Sequence, residues 1–193
     1  RSVYVLIYVL LFSISVNSQQ PTEEWVRTYN SPDNMGDRLI DMAVDNMGNV
    51  YSTGWNSTQN EGSNIVTVKY NSSGVLQWAV SYNNGGFVND LAYGMAVDSM
   101  GNCYVAGYFW INIGADDGIL INGDTVWVKR LITALADELT FIAVDNNNDI
   151  CVTGRSGDTA LVFKYDQTGN LLWRAKYYEP QYLCLSGIIR IDR

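Results

Sequence analysis

Short apolar runs alternate with polar, glycine-containing turns along most of the chain, and the runs recur in one order. The phrase Met-Ala-Val-Asp-x-Met-Gly-Asn begins at Met42 and again 53 residues later at Met95, and a related Ile-Ala-Val-Asp phrase begins at Ile142. Because side chains alternate sides along a β-strand, each phrase should carry its large apolar residues on one face and its alanine on the other. Self-similarity at a period of about fifty residues indicates stacked equivalent units.

Three further phrases complete each unit, and all are rich in β-branched and aromatic residues. The second phrase ends in glycine, the third contains an apolar-x-apolar-Lys sequence, and the fourth has a Trp with a Tyr four residues later. These phrases lie at residues 49–54, 102–107 and 149–154 (second), at 66–70, 126–130 and 161–165 (third), and at Trp25/Tyr29, Trp78/Tyr82 and Trp173/Tyr177 (fourth). With Asp, Asn and Gly turns between them, they predict a four-stranded antiparallel meander in each unit.

The alternation in the first phrase predicts how the units pack. Ala43, Ala96 and Ala143 oppose a face of larger apolar side chains, which allows neighbouring sheets to interdigitate closely. We therefore predict an all-β fold, a partial β-propeller that forms an open arc of about three four-stranded antiparallel blades. The units span residues 25–82, 83–138 and 139–193. A β-sandwich or a solenoid is the alternative, because short alternating strands are common to all three.

The middle unit departs from this pattern in two ways. It lacks the hairpin with Gly and Trp, which predicts that one strand is missing or distorted between Leu131 and Glu138. It also has extra residues at 108–124, which we interpret as a longer loop. In the third unit Asn148 stands where the first two units have the turn glycine.

The sequence Ala43-Val-Asp-Asn-Met-Gly-Asn-Val-Tyr-Ser-Thr-Gly54, followed by Val68-Lys-Tyr-Asn71, Gly74 and Trp78, resembles the SBBP repeat. That repeat builds β-propellers in secreted and cell-surface proteins, mainly of bacteria. The resemblance extends over nearly all of residues 25–192. It implies a scaffold and brings no catalytic residues with it.

The residues at one end of the chain predict export, and those at the other end predict that the sequence is a fragment. Arg1 and the apolar run that follows it predict a signal peptide at residues 1–18, with residues 19–193 as the repeat segment. The mature protein should then be secreted or lie at the cell surface, with no membrane span after cleavage. Residues 185–192 match the first strand at 91–98. With the missing initiator Met, this match predicts a truncated fragment, and the alternative is self-association into a closed ring.

The amino-acid composition excludes several classes of catalytic site and of binding partner. The chain has no His, which excludes Ser-His-Asp chemistry, His general bases and almost all catalytic zinc sites within it. Its formal charge of −8 makes nucleic acid an unsuitable partner. We predict no cofactor, and an unknown protein or glycan as the ligand. Cys103, Cys151 and Cys184 take strand positions and are predicted to be buried thiols, with a disulfide as the alternative in an exported protein.

Two places are candidate sites. Asp145, Asn147 and Asp149 offer oxygen atoms at alternate positions, as a calcium loop would, but Ile150 stands where such a loop needs glycine. We therefore favour a polar hairpin turn there over a metal site. The candidates for ligand binding are Trp110, Asp116 and Asp117, in the expected loop of the middle unit. The Trp residues of the fourth phrase could stack on carbohydrate, but their recurrence favours packing between units.

The leading hypothesis is an exported, non-catalytic β-propeller that acts as a scaffold or binding module outside the cell. The alternative is a fragment of a propeller enzyme, either quinone-dependent dehydrogenase-like or polysaccharide-active, whose site lies in missing blades.

Overall fold

The computed structural model describes residues 23–86, 88–111, 115–122, 128–131 and 137–178. In this part of the chain there are twelve strands and no helix, so the all-β prediction is confirmed. The strands are β1 (Gly36–Val44), β2 (Val50–Ser57), β3 (Gly62–Tyr70), β4 (Leu76–Tyr82), β5 (Val88–Val97), β6 (Cys103–Ile111), β7 (Ala115–Asn122), β8 (Val128–Leu131), β9 (Asp137–Val144), β10 (Ile150–Ser156), β11 (Thr159–Tyr165) and β12 (Leu171–Tyr178). The predicted signal peptide, Cys184 and the repeat match at 185–192 lie outside the described residues.

The strands form three antiparallel meanders, each of four strands that are consecutive in sequence. The first meander is β1–β4, the second β5–β8 and the third β9–β12. A short parallel ladder, in which Gly62 and Ser63 of β3 pair with Val88 and Asn89 of β5, joins the first two meanders into one mixed sheet. The third meander is a separate antiparallel sheet. Within the described ranges no helix is long and apolar enough to cross a membrane.

The second meander corrects two predictions. Residues 108–124 are not a longer loop, because most of them lie in β6 and β7, which pair antiparallel from Tyr104↔Asn122 to Ile111↔Ala115. The described part of the phrase at 126–130, residues 128–130, lies in β8, the fourth strand, and not in the third. The meander has four strands, of which β8 is short. Sequence similarity to the third phrase does not determine the pairing here, because β6 pairs with the segment that follows it directly in the chain.

The glycine that ends the second phrase is required by a bulge in the neighbouring strand. The register of β1 against β2 shifts between Leu39 and Asp41, and equivalent shifts occur in the other two meanders. A Cβ atom on Gly54 would lie 1.8 Å from the carbonyl oxygen of Arg38, and one on Gly107 2.2 Å from that of Leu91. No side chain fits such a close backbone approach, so the repeat uses glycine there.

Each meander has two faces, and neighbouring meanders pack the rear face of one against the front face of the next. We define the front face by Met42, Val44 and their equivalents, and the rear face by Ala43, Tyr51 and theirs. The first interface joins rear-face residues of the first meander to front-face residues of the second. Its buried members are Tyr51, Ile65, Ala92, Met95, Cys103 and Val105, with Ala43, Trp78, Tyr82, Val97 and Val128 packed against them.

The second interface repeats this arrangement between the second and third meanders. Its buried members are Tyr104, Ala106, Leu139, Ile150, Val152, Leu161 and Phe163, with Ile142, Val144 and Tyr165 packed against them. Cys103 and Cys151 are both buried, as the sequence predicts. Ala43 packs in the first interface as expected, and Ala96 and Ala143 are half-buried.

Hydrogen bonds reinforce the first interface. The Tyr51 side chain is fully buried, and its hydroxyl lies 3.1 Å from the carbonyl oxygen of Gly101 in the second meander and 3.1 Å from Asp45 Oδ2, so its one proton is shared between these two acceptors. The Met95 amide donates to Asp41 Oδ2 of the first meander at 2.9 Å. The first two meanders are therefore held in a fixed relation by directional bonds as well as by apolar packing.

Candidate functional site

The first strand of each meander ends in a Val-Asp pair that opens a tight turn. In the first turn the Asp45 amide donates to the Asn49 carbonyl oxygen at 3.0 Å, and Gly48 takes a positive φ of 77°. The turns at Asp98 and Asp145 have the same backbone bonds. In the third turn Asn148 adopts a φ of 61°, which Asn tolerates better than most residues, so the loss of glycine leaves the turn intact.

The turn carboxylates are used to hold the turns together. Asp98 Oδ1 accepts from the amides of Met100 and Asn102, while Asp98 Oδ2 accepts from the Asn102 side chain and the Tyr104 hydroxyl. Burial, followed by the charge of Asp98, raises the pKa of Tyr104 above its ordinary value. Asp45 makes the equivalent bonds. Burial alone would raise the pKa of Asp45, but hydrogen bonds, led by that from the Asn49 side chain, hold it below the ordinary value.

The three turns converge on one pocket of about 250 Å³, which we call the turn pocket. Each meander contributes its Val-Asp pair and the residues that follow the pair. The lining residues are Val44, Asp45, Asn46, Val97, Asp98, Ser99, Val144, Asp145, Asn146 and Asn148. Polar groups predominate in this lining, so the pocket suits a hydrated or hydroxyl-bearing ligand better than an apolar one.

A side-chain contact joins two of the turns that line the turn pocket. Asn148 Oδ1 accepts from the Ser99 amide at 3.2 Å and from the Ser99 hydroxyl at 3.0 Å. The contact links the second meander to the third at the position where the repeat has lost its glycine. The substitution therefore gives this turn a side chain that reaches its neighbour.

The third turn differs from the others because Cys151 stands where the first two meanders have a buried Tyr. Lys164 Nζ lies 2.7 Å from Asp145 Oδ2 and 3.0 Å from Asp149 Oδ2. In the first meander the equivalent Lys69 lies over the ring of Tyr51, 4.7 Å from its centroid. Because Cys151 is smaller than Tyr, Lys164 reaches the carboxylate of Asp145. In the first two meanders a Tyr hydroxyl binds the equivalent carboxylate.

This ion pair bears on the calcium-loop candidates Asp145, Asn147 and Asp149. Burial would raise the pKa of Asp145, but Lys164 and the turn amides together lower it. The hydrogen bond to Asp145 is the main reason that the pKa of Lys164 is raised. A lysine ammonium therefore sits against the two carboxylates that a cation would need. Among the described residues no group of three His, Cys, Asp or Glu is placed to hold a metal ion.

The structure does not bring Trp110, Asp116 and Asp117 to the turn pocket. Trp110 pairs with Asp116 across β6 and β7, and Asp117 pairs with Phe109. These positions lie at the end of the hairpin away from the turn at Asp98, because β6 starts beside that turn and runs away from it. They are backbone neighbours on two paired strands and not members of a loop.

The Trp residues of the fourth phrase have different surroundings. Trp78 packs against the first interface, and its ring meets that of Tyr51 edge-on at 6.1 Å. Trp25 packs on Tyr70, with ring centroids 6.0 Å apart. Trp173 remains 48 % exposed on the rear face of the third meander. Of the three, Trp78 packs at an interface between units as the sequence predicts, whereas Trp25 packs within its own unit.

Comparison with known proteins adds little to this description. No family model matches the chain, and no curated protein matches it. Among solved structures, the chain is similar to a protein of unknown function from Bacteroides caccae, known from a crystal structure at 1.35 Å resolution. The identity is 11 %, the TM-score is 0.44, and the match covers 67 % of this chain and 41 % of the other. The chain thus spans less than half the length of that protein.

Proposed function

We propose that the chain is part of an exported, non-catalytic β-propeller of the SBBP type, which binds a hydroxyl-rich ligand, a glycan, at the turn pocket. The observation that carries this proposal is the convergence of three repeated turns on one polar pocket. The first strands β1, β5 and β9 are neighbours in sequence order, since β1 contacts β5 and β5 contacts β9. Such an order is what a radial arrangement around an axis requires.

The chemistry of the turn pocket supports a binding role. Its carboxylates are occupied by amide and hydroxyl donors and, at Asp145, by the ammonium of Lys164, which leaves side-chain amides such as those of Asn46 and Asn146 to meet a ligand. Amide groups both donate and accept, so they suit hydroxyl groups of a sugar. The net charge of −8 disfavours anionic ligands. No observation favours the dehydrogenase-like or polysaccharide-active alternatives over this one.

A glycan array tests the ligand. The whole chain should bind a subset of neutral glycans, and the double variant Asn46→Ala/Asn146→Ala should lose that binding. The matched variant Gln77→Ala removes an exposed amide on β4 and should bind as the parent does. If no glycan gives a signal above background, the proposal that the ligand is a glycan is wrong. If the double variant binds as the parent does, the binding site is not the turn pocket.

Export is tested separately by expressing the chain with residues 1–18 in place. We expect mass spectrometry of the protein outside the cytoplasm to find Gln19 as the first residue. Retention inside the cell with residues 1–18 still attached would contradict export.

A further inference from the structure

Four buried oxygen atoms at one end of the first meander receive no hydrogen bond from any described residue. They are Ser31 Oγ, Asp37 Oδ1, Asn56 Oδ1 and Asn64 Oδ1, and we call them the oxygen cluster. Ser31, Asn56 and Asn64 are 2 %, 5 % and 6 % exposed, so bulk solvent does not reach these side chains freely. Buried polar atoms in proteins are almost always paired, so four in one place indicate a group that they bind together.

The register of the first three strands places the members of the oxygen cluster side by side. Asp37 of β1 pairs with Asn56 of β2, and Asn56 pairs with Asn64 of β3. Residues that pair directly across antiparallel strands point to the same face, with Cβ atoms about 4.5–5.5 Å apart. The three side chains therefore form a row across the front face, with Asn56 in the middle. Ser31 lies next to this row, because its amide donates to Asp37 Oδ2 at 2.9 Å.

Hydrogen bonds to the other polar atoms of these side chains fix two members of the row. The Ser31 amide occupies one carboxylate oxygen of Asp37 and leaves the second to the cluster. The side-chain amide nitrogen of Asn64 donates to Glu61 Oε2 at 3.3 Å, which leaves the Asn64 carbonyl oxygen to the cluster. Every atom of the cluster can accept a hydrogen bond or bind a cation. The group that satisfies them must therefore bring positive charge or donors.

The donor set of the oxygen cluster is one that Ca²⁺ uses. It consists of a carboxylate, two amide carbonyl groups and a hydroxyl, and Ca²⁺ takes six to eight oxygen ligands of such kinds together with water. None of the described ion pairs gives Asp37 a lysine or arginine partner. The calcium-loop candidates differ in this respect, because Lys164 neutralises Asp145 and Asp149.

The repeat explains the aspartate of the row but not the two amides. The bond from the Ser31 amide to Asp37 recurs 53 residues later, where the Asn84 amide donates to Asp90 Oδ2 at 2.7 Å. The aspartate thus has a structural role in the turn that precedes the first strand. The rows at the same register are Asp90, Phe109 and Asp117 in the second meander, and Asp137, Ser156 and Thr159 in the third. The pair of asparagines belongs to the first meander alone.

We propose that the oxygen cluster is a Ca²⁺ site. The cation lies over Asn56, and Asp37 and Asn64 supply oxygen atoms from the two flanking strands, while Ser31 and water complete the coordination. With one carboxylate the affinity is low, with a Kd of about 1 mM, as in extracellular calcium modules. Mg²⁺ is disfavoured, because it demands a tighter octahedral shell and gives up its water reluctantly. The site is separate from the turn pocket and does not depend on the proposed glycan.

Urea unfolding of the whole chain tests the site, because a cation that binds only the folded state stabilises it. The protein is first treated with EDTA, and unfolding is then followed by Trp fluorescence in CaCl₂, MgCl₂ or NaCl at one ionic strength. At about 10 mM Ca²⁺ and a Kd of about 1 mM, the ratio of folded to unfolded protein should rise about tenfold over that in NaCl. The rise in MgCl₂ should be smaller.

Two variants should change the response to Ca²⁺ in opposite directions. Asp37→Asn removes the only carboxylate and should abolish the rise. Asn56→Asp adds a second carboxylate and should lower the Kd at least about tenfold, although it destabilises the protein in NaCl, where the added charge is buried without a partner. The matched control is Asp158→Asn, which removes an exposed carboxylate from the third meander and should respond as the parent does.

Three results would overturn the proposal. The first is a parent protein that Ca²⁺ stabilises no more than NaCl does, since the cluster would then bind water or a monovalent cation. The second is a calcium response that Asp37→Asn retains, which would place the cation elsewhere on the chain. The third is an Asn56→Asp variant that Ca²⁺ stabilises no more than the parent, because an added carboxylate must strengthen a real calcium site.

Discussion

The buried hydroxyl of Tyr51 allows the contribution of one bond between meanders to be measured. The Tyr51→Phe variant keeps the ring in the first interface but leaves the Gly101 carbonyl, 3.1 Å away, without this donor. It also removes one of the bonds to Asp45, whose Oδ2 keeps the bond from Asn49. The hydroxyl has one proton to share between these two part-buried acceptors, and losing such a donor costs about 1–3 kcal/mol, so we expect a loss of about 2 kcal/mol. For a chain of this size that lowers Tm by about 4–8 °C.

Urea unfolding followed by Trp fluorescence measures the change in free energy. Tyr178→Phe is the matched control, because Tyr178 is 60 % exposed, and it should lie within about 0.5 kcal/mol of the parent. The midpoint for Tyr51→Phe should fall while the slope stays constant. If both variants unfold with the parent, the Tyr51 hydroxyl does not hold the meanders together and the reasoning fails.

Three further predictions concern the bulge and the turns. Gly54→Ala drives a Cβ into a β1 carbonyl and should cost more than about 2 kcal/mol in urea unfolding, whereas Gly36→Ala, which meets only a side-chain oxygen at 3.8 Å, should cost far less. Lys164→Met should lower stability at neutral pH. Because the folded-state pKa of Asp145 is below 3.8, this loss should be complete above that pH and should vanish as pH falls through the lowered pKa; a pH-independent loss would contradict the ion pair. The carboxyl of Asp166, held mainly by the hydroxyl two residues on, should titrate with a pKa of about 2 in NMR spectra, and an ordinary value would contradict the turn.

The sequence predicts the strands and their order where the repeat phrases recur. This is possible because the alternation of apolar and polar residues and the chemistry of the turns are local properties of the chain. The reason for Gly54 is not local, since it depends on a bulge that brings the Arg38 carbonyl against it. The residues at 126–130 resemble the third phrase of the other units and so predict the third strand of the second meander at the wrong place. Residues 115–122 in fact pair with β6.

The turn pocket could be predicted only in part. Asp45, Asp98 and Asp145 are recognisable as turn residues, but their convergence depends on how the meanders pack. One signal in the sequence points to the ion pair. Cys151 stands where the other two units have Tyr51 and Tyr104, and without a Tyr hydroxyl the carboxylates of that turn can bind Lys164. The contact between Ser99 and Asn148 follows from the lost glycine, but a partner 49 residues away cannot be identified from the turn alone.

The central claim is that successive meanders pack rear face to front face. NMR spectroscopy with a labelled Met95 methyl group tests it most directly, because Met95 is buried in the same cluster as Tyr51, and Trp78 packs against that cluster. The account predicts nuclear Overhauser effects from this methyl group to ring protons of the first meander. Effects confined to residues of the second meander would contradict it.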